Sequence, residues 1–473
     1  MRRFIALAFA VLITGCMVGP DYVRPVVDVP AAFRYEDRGA KEKANTEWWK
    51  QFKDPVLGAL IDEALANNRN IKIAAANIER AAGVLVQARS PLFPQIGYGG
   101  SAARDRASEA GSIPAPSILP NPQTSYQVLA SASWEIDLWG RIRRLSESAQ
   151  AELFATEEAW HGVILSLVAS VASNYIQLLN LDEQLIVSKR TLATYAESVK
   201  LFELRFKYGQ VSKMTLEQAR SQYETAAAAI PQIESQIAQT ENALSILLGR
   251  NPGPVPRGKT IHQLGLPAVP AGLPSDVLAN RPDIRQAEQN LIAANAQIGA
   301  AKALYYPTIS LTGAYGYASS DLSNLFQGSA RVWSYAGSFT GPIFTGGAIT
   351  SQVKQAEAAR NAALFSYELT IQSAFADAEN TLVARSKLLE QVQAQERLVR
   401  ANSEYVRLAR LQFDGGYSPY STVLQAEQQL FPSELNLVQS RAALFNSLVN
   451  IYKAMGGGWQ IAAEATPALP PRW

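Results

Sequence analysis

The sequence contains few of the side chains that most often hold metals or act as nucleophiles. Cys16 is the single cysteine among 473 residues, and His161 and His262 are the only histidines. A His/Cys zinc site, an internal disulfide and a cysteine nucleophile with a histidine helper are therefore excluded. The chain also has no G-x-S-x-G motif and no Gly-rich phosphate loop between a strand and a helix. We expect no catalytic residue, no metal site and no cofactor.

Neither sign of charge is in excess, and long apolar runs are missing. Lys and Arg number 43 and Asp and Glu number 41; Arg2 and Arg3 lie in a predicted signal peptide, so the mature chain would carry 41 charges of each sign. This balance gives no electrostatic basis for binding nucleic acid. After the amino terminus no run reaches 18 consecutive apolar residues, so the sequence predicts no transmembrane helix.

The first residues have the pattern of a secretory signal peptide. Two arginines precede the apolar run Phe4 to Ile13, which is too short to span a bilayer. The run leads into Thr14-Gly15-Cys16, which resembles a bacterial lipobox, and Met17 in place of Asp resembles the pattern sorted to the outer membrane. We therefore predict that Cys16 carries the lipid, the alternative being an ordinary signal peptide with an incidental cysteine.

A residue pattern occurs twice along the chain. Leu65-Ala66-Asn67 matches Leu278-Ala279-Asn280 at an offset of 213. Further along the offset is 207, and the matched pairs are Gly140 and Gly347, Phe206 and Phe413, Gly209 and Gly416, and Gly249 and Gly456. Two consistent offsets predict an internal duplication. The predicted divisions are a signal peptide at 1–15, a lipid-anchored segment at 16–55, repeats at 56–250 and 276–456 joined by a Pro-rich linker at 251–275, and a tail at 457–473.

Both copies predict the same helices. They span about 56–90, 142–207 and 213–248, then about 276–304, 349–413 and 420–455. The longest would each reach about 100 Å, more than a compact globule accommodates. Apolar residues recur every seven positions, as at Val171, Leu178, Leu185, Leu192, Val199 and Phe206. This period is typical of helices packed along a supercoiled seam. Pro231 and Pro432 should kink or break the second helix of each pair.

Strands are predicted at about 95–106, 125–137, 308–318 and 332–344. Apolar and polar residues alternate along them, so one face of the sheet should be apolar and the other wet. Two interpretations remain open: a sheet packed on a protein core, or a lipid-facing barrel wall around a watery lumen. Four strands cannot close a barrel, and open edges are not tolerated in lipid. Membrane strands would therefore require several protomers, in a number that the sequence alone does not give.

Four segments carry recognisable motifs. They are Trp48-Trp49 with Phe52 and Asp54-Pro55; Arg281-Pro282-Asp283-Ile284 followed by Ile309-Ser310-Leu311-Thr312-Gly313; Gly341-Pro342-Ile343-Phe344; and Val423-Leu424-Gln425-Ala426-Glu427. Together they resemble the outer-membrane factors, the TolC-like efflux channels, and specifically their NodT/OprM-type lipoprotein branch. The resemblance covers essentially the whole mature chain.

The resemblance implies a mainly α protein with membrane β structure. It implies a homotrimer with a twelve-stranded β-barrel in the outer membrane, four strands per protomer, and a TolC-like α-barrel in the periplasm. The partners it implies are outer-membrane lipid, a periplasmic adaptor (membrane-fusion) protein and an inner-membrane pump, of the proton-driven resistance-nodulation-division type. The channel would be an export duct that is closed at rest.

The resemblance also assigns candidate site residues at the two helical turns. The adaptor-docking residues are Tyr208, Gly209, Gln210, Val211, Ser212, Gly415, Gly416, Tyr417 and Ser418. The gate residues are Arg407, Arg410, Phe413, Asp414, Tyr417 and Tyr420. Many relatives have an acidic residue where this chain has Ser418, so Asp414, Tyr417 or Tyr420 is expected to replace it. Arg410 and Asp414 have the i,i+4 spacing of a helical ion pair.

Other function classes are weaker. An enzyme is not supported, because the chain has no recognisable catalytic site. Glu135 and Asp137 resemble the carboxylate pair of a glycosidase only in being close together in the sequence. A structural envelope lipoprotein explains the lipid and the heptads but not the strands or the duplication. The duct of an ATP-driven polypeptide secretion system remains an alternative to small-molecule efflux.

Overall fold

The computed structural model describes residues 17–30, 32–35, 42–43, 47–108, 120–267, 269–271, 274–460 and 463. Cys16, the predicted lipid site, and the predicted signal peptide lie outside the described residues.

Long helices and a four-stranded sheet make up most of the described chain. The helices are α1 (Pro55–Asn67), α2 (Arg69–Arg89), α3 (Arg141–Lys207), α4 (Lys213–Leu247), α5 (Pro274–Asn280), α6 (Pro282–Ala303), α7 (Ala348–Asp414) and α8 (Tyr420–Ala454). The strands are β1 (Gln95–Asp105), β2 (Gln123–Ile136), β3 (Thr308–Ser319) and β4 (Arg331–Thr340). A two-residue parallel pairing of Glu42–Lys43 with Pro270–Ala271 completes the described strands.

The predicted helix pairs are confirmed. Helices α3 and α7 each contain 67 residues, and α4 and α8 each contain 35. The sequence missed a break in each leading helix, at Asn68 and Arg281. The breaks are equivalent: Asn68 donates to the carbonyl of Leu247 at 2.8 Å, and Arg281 donates to that of Ala454 at 3.2 Å. Each break therefore satisfies a carbonyl at the end of a long hairpin.

Of the two effects expected of Pro231 and Pro432, the break is wrong, and the kink stays a prediction. Helix α4 continues through Pro231 and α8 through Pro432. Both prolines are exposed, so water can bond the carbonyl that loses its intrahelical partner.

The strands pair antiparallel in chain order, β1-β2-β3-β4. Three of them agree with the predicted spans to within two residues. The fourth ends at Thr340 rather than at 344, because Pro342 has no N–H to donate to a ladder. Within the described residues, β1 and β4 each keep one edge without a strand partner.

One face of the sheet is apolar and uncovered. The register places Tyr98 beside Ala130, and Gly313 beside Tyr335, and Tyr98 and Tyr335 are 95% and 81% exposed. Serines and threonines occupy the other face, where two Ser Oγ atoms of β3 and β4 lie 2.7 Å apart. The interpretation of a sheet packed on its own protein core is therefore wrong, because no described part of the chain covers the apolar face.

The chain divides into two compact units. Unit 1 comprises the described part of Met1–Val26 with Ile78–Thr156 and Ala287–Tyr367, and it contains the whole four-stranded sheet. Unit 2 comprises Val27–Asn77, Glu157–Gln286 and Glu368–Trp473. Its core includes the predicted aromatic motif, in which the fully buried Trp48 stacks on Tyr452 with ring centroids 5.2 Å apart.

In the described chain, α3 contains a stretch long and apolar enough to cross a membrane. More than half of that stretch is buried, as in a core helix of a soluble protein. It is therefore weak evidence for a membrane span.

Candidate functional site

Both candidate turns end a long helix in the same way. Gly209 and Gly416 have positive φ angles of 69° and 75°, which glycine adopts at little cost. In the first turn Gln210 N donates to Arg205 O at 2.8 Å, and in the second Tyr417 N donates to Gln412 O at 2.8 Å. These six-residue closures are the Schellman motif that terminates helices. A Cβ at either glycine would meet nothing within 4 Å, so the conformation and not crowding requires glycine.

The predicted docking residues are largely exposed. Tyr208 and Tyr417 are 69% and 89% exposed, and Met214, which the sequence did not single out, is 69% exposed. Val211 is half-buried against the cluster beneath the turns. The turns therefore present uncovered aromatic and apolar side chains, the composition expected of an interaction surface.

Two predicted gate residues, Phe413 and Tyr420, pack together inside the chain. Their rings lie 5.3 Å apart, and Tyr420 is 4.0 Å from the ring of Phe202 on α3. Burial raises the pKa of the Tyr420 hydroxyl to about 12. This aromatic cluster joins the two hairpins, so the side chains of Phe413 and Tyr420 are committed to packing within the protomer.

Arg410 does not pair with Asp414, as the helical spacing allowed. Its guanidinium instead donates to Glu427 Oε1 on α8, at 3.2 Å from Nε and 2.6 Å from Nη2. The pair is asymmetric, because the Glu427 side chain is 3% exposed and that of Arg410 is 43% exposed. Burial raises the pKa of Glu427 despite the opposing hydrogen bond and charge of Arg410. The sequence did not indicate Glu427 as a site residue, although Glu427 is the last residue of the motif that begins at Val423.

The Glu427 carboxylate borders a cavity of about 120 Å³ between α3, α7 and α8. Its Oε2 atom is buried and has no hydrogen-bond partner among the described residues. Across the same cavity Arg190 pairs with Glu434 at 2.8 Å, and the Tyr195 hydroxyl donates to the backbone oxygen of Glu427 at 3.4 Å. Polar contacts as well as aromatic packing therefore hold α8 to α3.

The remaining gate candidates are exposed. Arg407 pairs with Glu404 at 2.7 Å, and the two side chains are 60% and 55% exposed. Water and salt screen an exposed pair of this kind, so it contributes little to stability. Asp414 and Tyr417 are exposed, and in the described residues of its own chain Asp414 has no ion pair. Of the six candidates, these two are best placed to meet a neighbouring molecule.

Solved outer membrane channels share the fold of this chain. The open state of the Neisseria gonorrhoeae MtrE outer membrane channel has a TM-score of 0.84 and 32% identity, covering 94% of this chain and 99% of that one. The Campylobacter jejuni CmeC outer membrane channel has a TM-score of 0.86 and 25% identity, covering 93% and 95%. The chain thus has the fold of a TolC-like outer-membrane channel.

The chain belongs to the outer membrane efflux protein family, which matches residues 60–250 and 273–457. It is 38% identical over 464 residues to the solvent efflux pump outer membrane protein SrpC of Pseudomonas putida, covering 96% of this chain and 98% of the relative. It is 34% identical over 464 residues to the cation efflux system protein CusC of Escherichia coli O6:H1, covering 97% and 99%. The predicted family, fold class, efflux function and outer-membrane location are thereby confirmed.

Proposed function

We propose that three copies of this chain form a passive duct for small molecules. Each copy contributes four strands to a closed twelve-stranded barrel and two hairpins to a periplasmic α-barrel, which meets an adaptor protein and an inner-membrane pump. The observation that carries this proposal is the sheet of unit 1, whose apolar face and two edges are not covered by any other described residues of the chain. Lipid cannot satisfy unpaired backbone groups, so closure requires neighbouring copies.

The duct is tested by conductance in planar bilayers, with native mass spectrometry to count protomers. We expect a trimer and measurable ion current. Tyr335→Lys places a charge on the apolar face and should reduce membrane insertion, because Lys on a lipid face costs about 2–4 kcal/mol at mid-bilayer. Ser334→Lys, one residue away on the polar face, should insert normally and shift ion selectivity toward anions. A membrane-inserted monomer without conductance would contradict the proposal and favour a structural lipoprotein.

We also propose that the duct performs no catalysis and that the pump determines the exported substrate. The matched relatives include proteins named for solvent and for cation efflux at similar identity, so overall similarity does not assign a cargo. An ATP-driven secretion system remains the alternative partner. Co-purification of the chain with an adaptor and a proton-driven pump would support efflux, whereas an ATP-driven partner would favour polypeptide secretion.

The lipid anchor at Cys16 is a further part of the proposal. The lipobox-like Thr14-Gly15-Cys16 motif in a chain without another cysteine supports it. Mass analysis of the mature amino-terminal peptide should find an acylated cysteine, and Cys16→Ser should remove the acyl group. A mature amino terminus at another residue would contradict this assignment.

A further inference from the structure

The described amino-terminal segment of unit 1 is fixed by backbone hydrogen bonds. Val18 N donates to Trp139 O at 3.1 Å, just beyond the end of β2. The carbonyl of Pro20, two residues after Val18, accepts a hydrogen bond from Asn295 Nδ2 on α6 at 3.0 Å. The segment is therefore held between the start of α3 and the side of α6.

Arg144, in the first turns of α3, binds this amino-terminal segment through its guanidinium. Its side chain is 2% exposed, and its guanidinium donates to Val18 O at 3.3 Å, Gly19 O at 3.4 Å and Asp21 Oδ1 at 2.7 Å. A second carboxylate, that of Glu147, accepts from Nη1 at 2.8 Å. Because a buried cation is costly unless its donors are satisfied, the amino-terminal segment and Arg144 stabilise each other.

Glycines bring the two backbones into contact. Gly19 has a φ of 103°, which favours glycine. A Cβ at Gly299 on α6 would lie 2.6 Å from Val18 O, and one at Gly140 would lie 3.1 Å from Met17 Cα. No side chain fits at these positions without displacing the segment. We call this site, formed by Arg144, Asn295, Gly140 and Gly299, the amino-terminal seat.

The seat lies beside the ends of two strands. Trp139 stacks on Tyr306 with ring centroids 4.6 Å apart, and its Nε1 donates to Pro307 O at 2.8 Å, directly before β3. Trp and Tyr at strand ends are typical of the boundary between membrane and water. Residue 17 is therefore fixed where a barrel wall would enter the bilayer, and the predicted acylation site is one peptide bond away.

We propose that the seat couples the lipid anchor to the channel, with Arg144 as the positioning residue. This inference rests on the proposed acylation of Cys16. A flexible tether would hold the channel near the membrane without stabilising its fold. Because residues 17–21 are bound to the seat, insertion of the acyl chains into the membrane also stabilises α3, α6 and the adjoining strand ends. The lipid and the seat therefore stabilise the trimer together.

A double-mutant cycle tests the coupling in the full-length protein. The variants are Arg144→Met, Cys16→Ser expressed with a conventional cleavable signal peptide, and the combination of both. Each single change should lower the temperature at which the trimer dissociates. The double variant should not dissociate at a lower temperature than the less stable of the two single variants, because the effects of coupled residues are non-additive. Additive losses would overturn the coupling.

Hydrogen exchange of residues 17–24 separates this inference from the proposed lipid anchor. Arg144→Met should raise their exchange at least tenfold while acylation of Cys16, measured by mass, is unchanged. Unchanged exchange would overturn the seat alone, and an absent acyl group in the wild-type protein would overturn both the anchor and its coupling.

Glycine variants keep the inference testable if Arg144→Met fails to fold. Gly299→Ala introduces a Cβ against Val18 O, whereas Gly162→Ala on α3 introduces one where nothing lies within 4 Å. We expect faster exchange of residues 17–24 in Gly299→Ala and wild-type exchange in Gly162→Ala. Equal behaviour of the two variants would overturn the seat.

Discussion

The asymmetric burial of the Arg410–Glu427 pair predicts unequal effects of removing its two members. Arg410→Met leaves the carboxylate of Glu427, 3% exposed, without its cation. Uncompensated buried charges cost about 3–5 kcal/mol, but the carboxyl group can take up a proton instead, which for an ordinary Glu at pH 7 costs about 3–4 kcal/mol. The smaller of these costs applies, so we expect Arg410→Met to destabilise the hairpin by about 3 kcal/mol.

Glu427→Gln should cost less. It keeps the shape of the side chain, and the 43% exposed Arg410 can be hydrated by water. The Gln oxygen can still accept from the guanidinium, so only the charge assistance of the two hydrogen bonds is lost, at about 1–2 kcal/mol. The double variant should resemble Glu427→Gln, because no buried charge remains.

The pH dependence of Arg410→Met follows from the same burial. The pKa of Glu427 is raised in the folded protein, so the folded state binds the proton more tightly than the unfolded state. The penalty for burying the charge is fully present above the folded pKa and disappears as the pH falls below the ordinary value for Glu. Arg410→Met should therefore regain stability on acidification, while Glu427→Gln should lack this dependence.

Hydrogen exchange of residues 405–430 measures the local opening directly, without requiring reversible melting of the trimer. A change of 3 kcal/mol corresponds to roughly a hundredfold faster exchange. Arg407→Met is the matched control, because it removes an exposed partner from the same helix and should change exchange by less than about fivefold. Equal effects of the two arginine variants, or of Arg410→Met and Glu427→Gln, would refute the reasoning.

Two further predictions concern the turns. Gly209→Leu and Gly416→Leu should reduce adaptor binding and efflux while trimer and outer-membrane levels stay normal, because a side chain with a Cβ disfavours positive φ by about 1–2 kcal/mol. The matched Asn variants should retain efflux, because Asn adopts positive φ more readily than Leu. Normal efflux with both Leu changes would argue against docking at the turns. Asp414→Ala and Tyr417→Ala should raise resting conductance severalfold in planar bilayers without loss of protein, and unchanged conductance would place the gate elsewhere.

Local pattern was sufficient to predict the elements but not the exact packing. The period of two placed three of the four strands to within two residues, and the duplicated glycines located both turns. The heptad series, however, ended on Phe206, which is 42% exposed, while Phe202 is fully buried. Phe202 is buried because it packs on Phe413 and Tyr420 of the neighbouring helices, a tertiary contact that the seven-residue period does not predict.

Two buried charged residues were not predicted from the sequence, for the same physical reason. Arg144 and Glu427 are charged side chains in helical segments, where a local pattern indicates a solvated surface. Their burial depends on partners that only the tertiary fold supplies, at residues 18–21 for Arg144 and on the preceding helix for Glu427. Phe413 and Tyr420 show the converse, since the resemblance assigned them to the gate and the fold packs them against Phe202.

The buried charges of Arg144 and Glu427 are compensated to different degrees. Near the strands, the buried Arg144 donates to two backbone carbonyls and to the carboxylates of Asp21 and Glu147, so its charge is well compensated. Beside the turns, Glu427 has one oxygen without a hydrogen-bond partner in the described part of the chain and a partly exposed counter-ion, so its charge is less fully compensated. The contacts that support the proposed anchor are therefore more fully compensated than those beside the proposed gate.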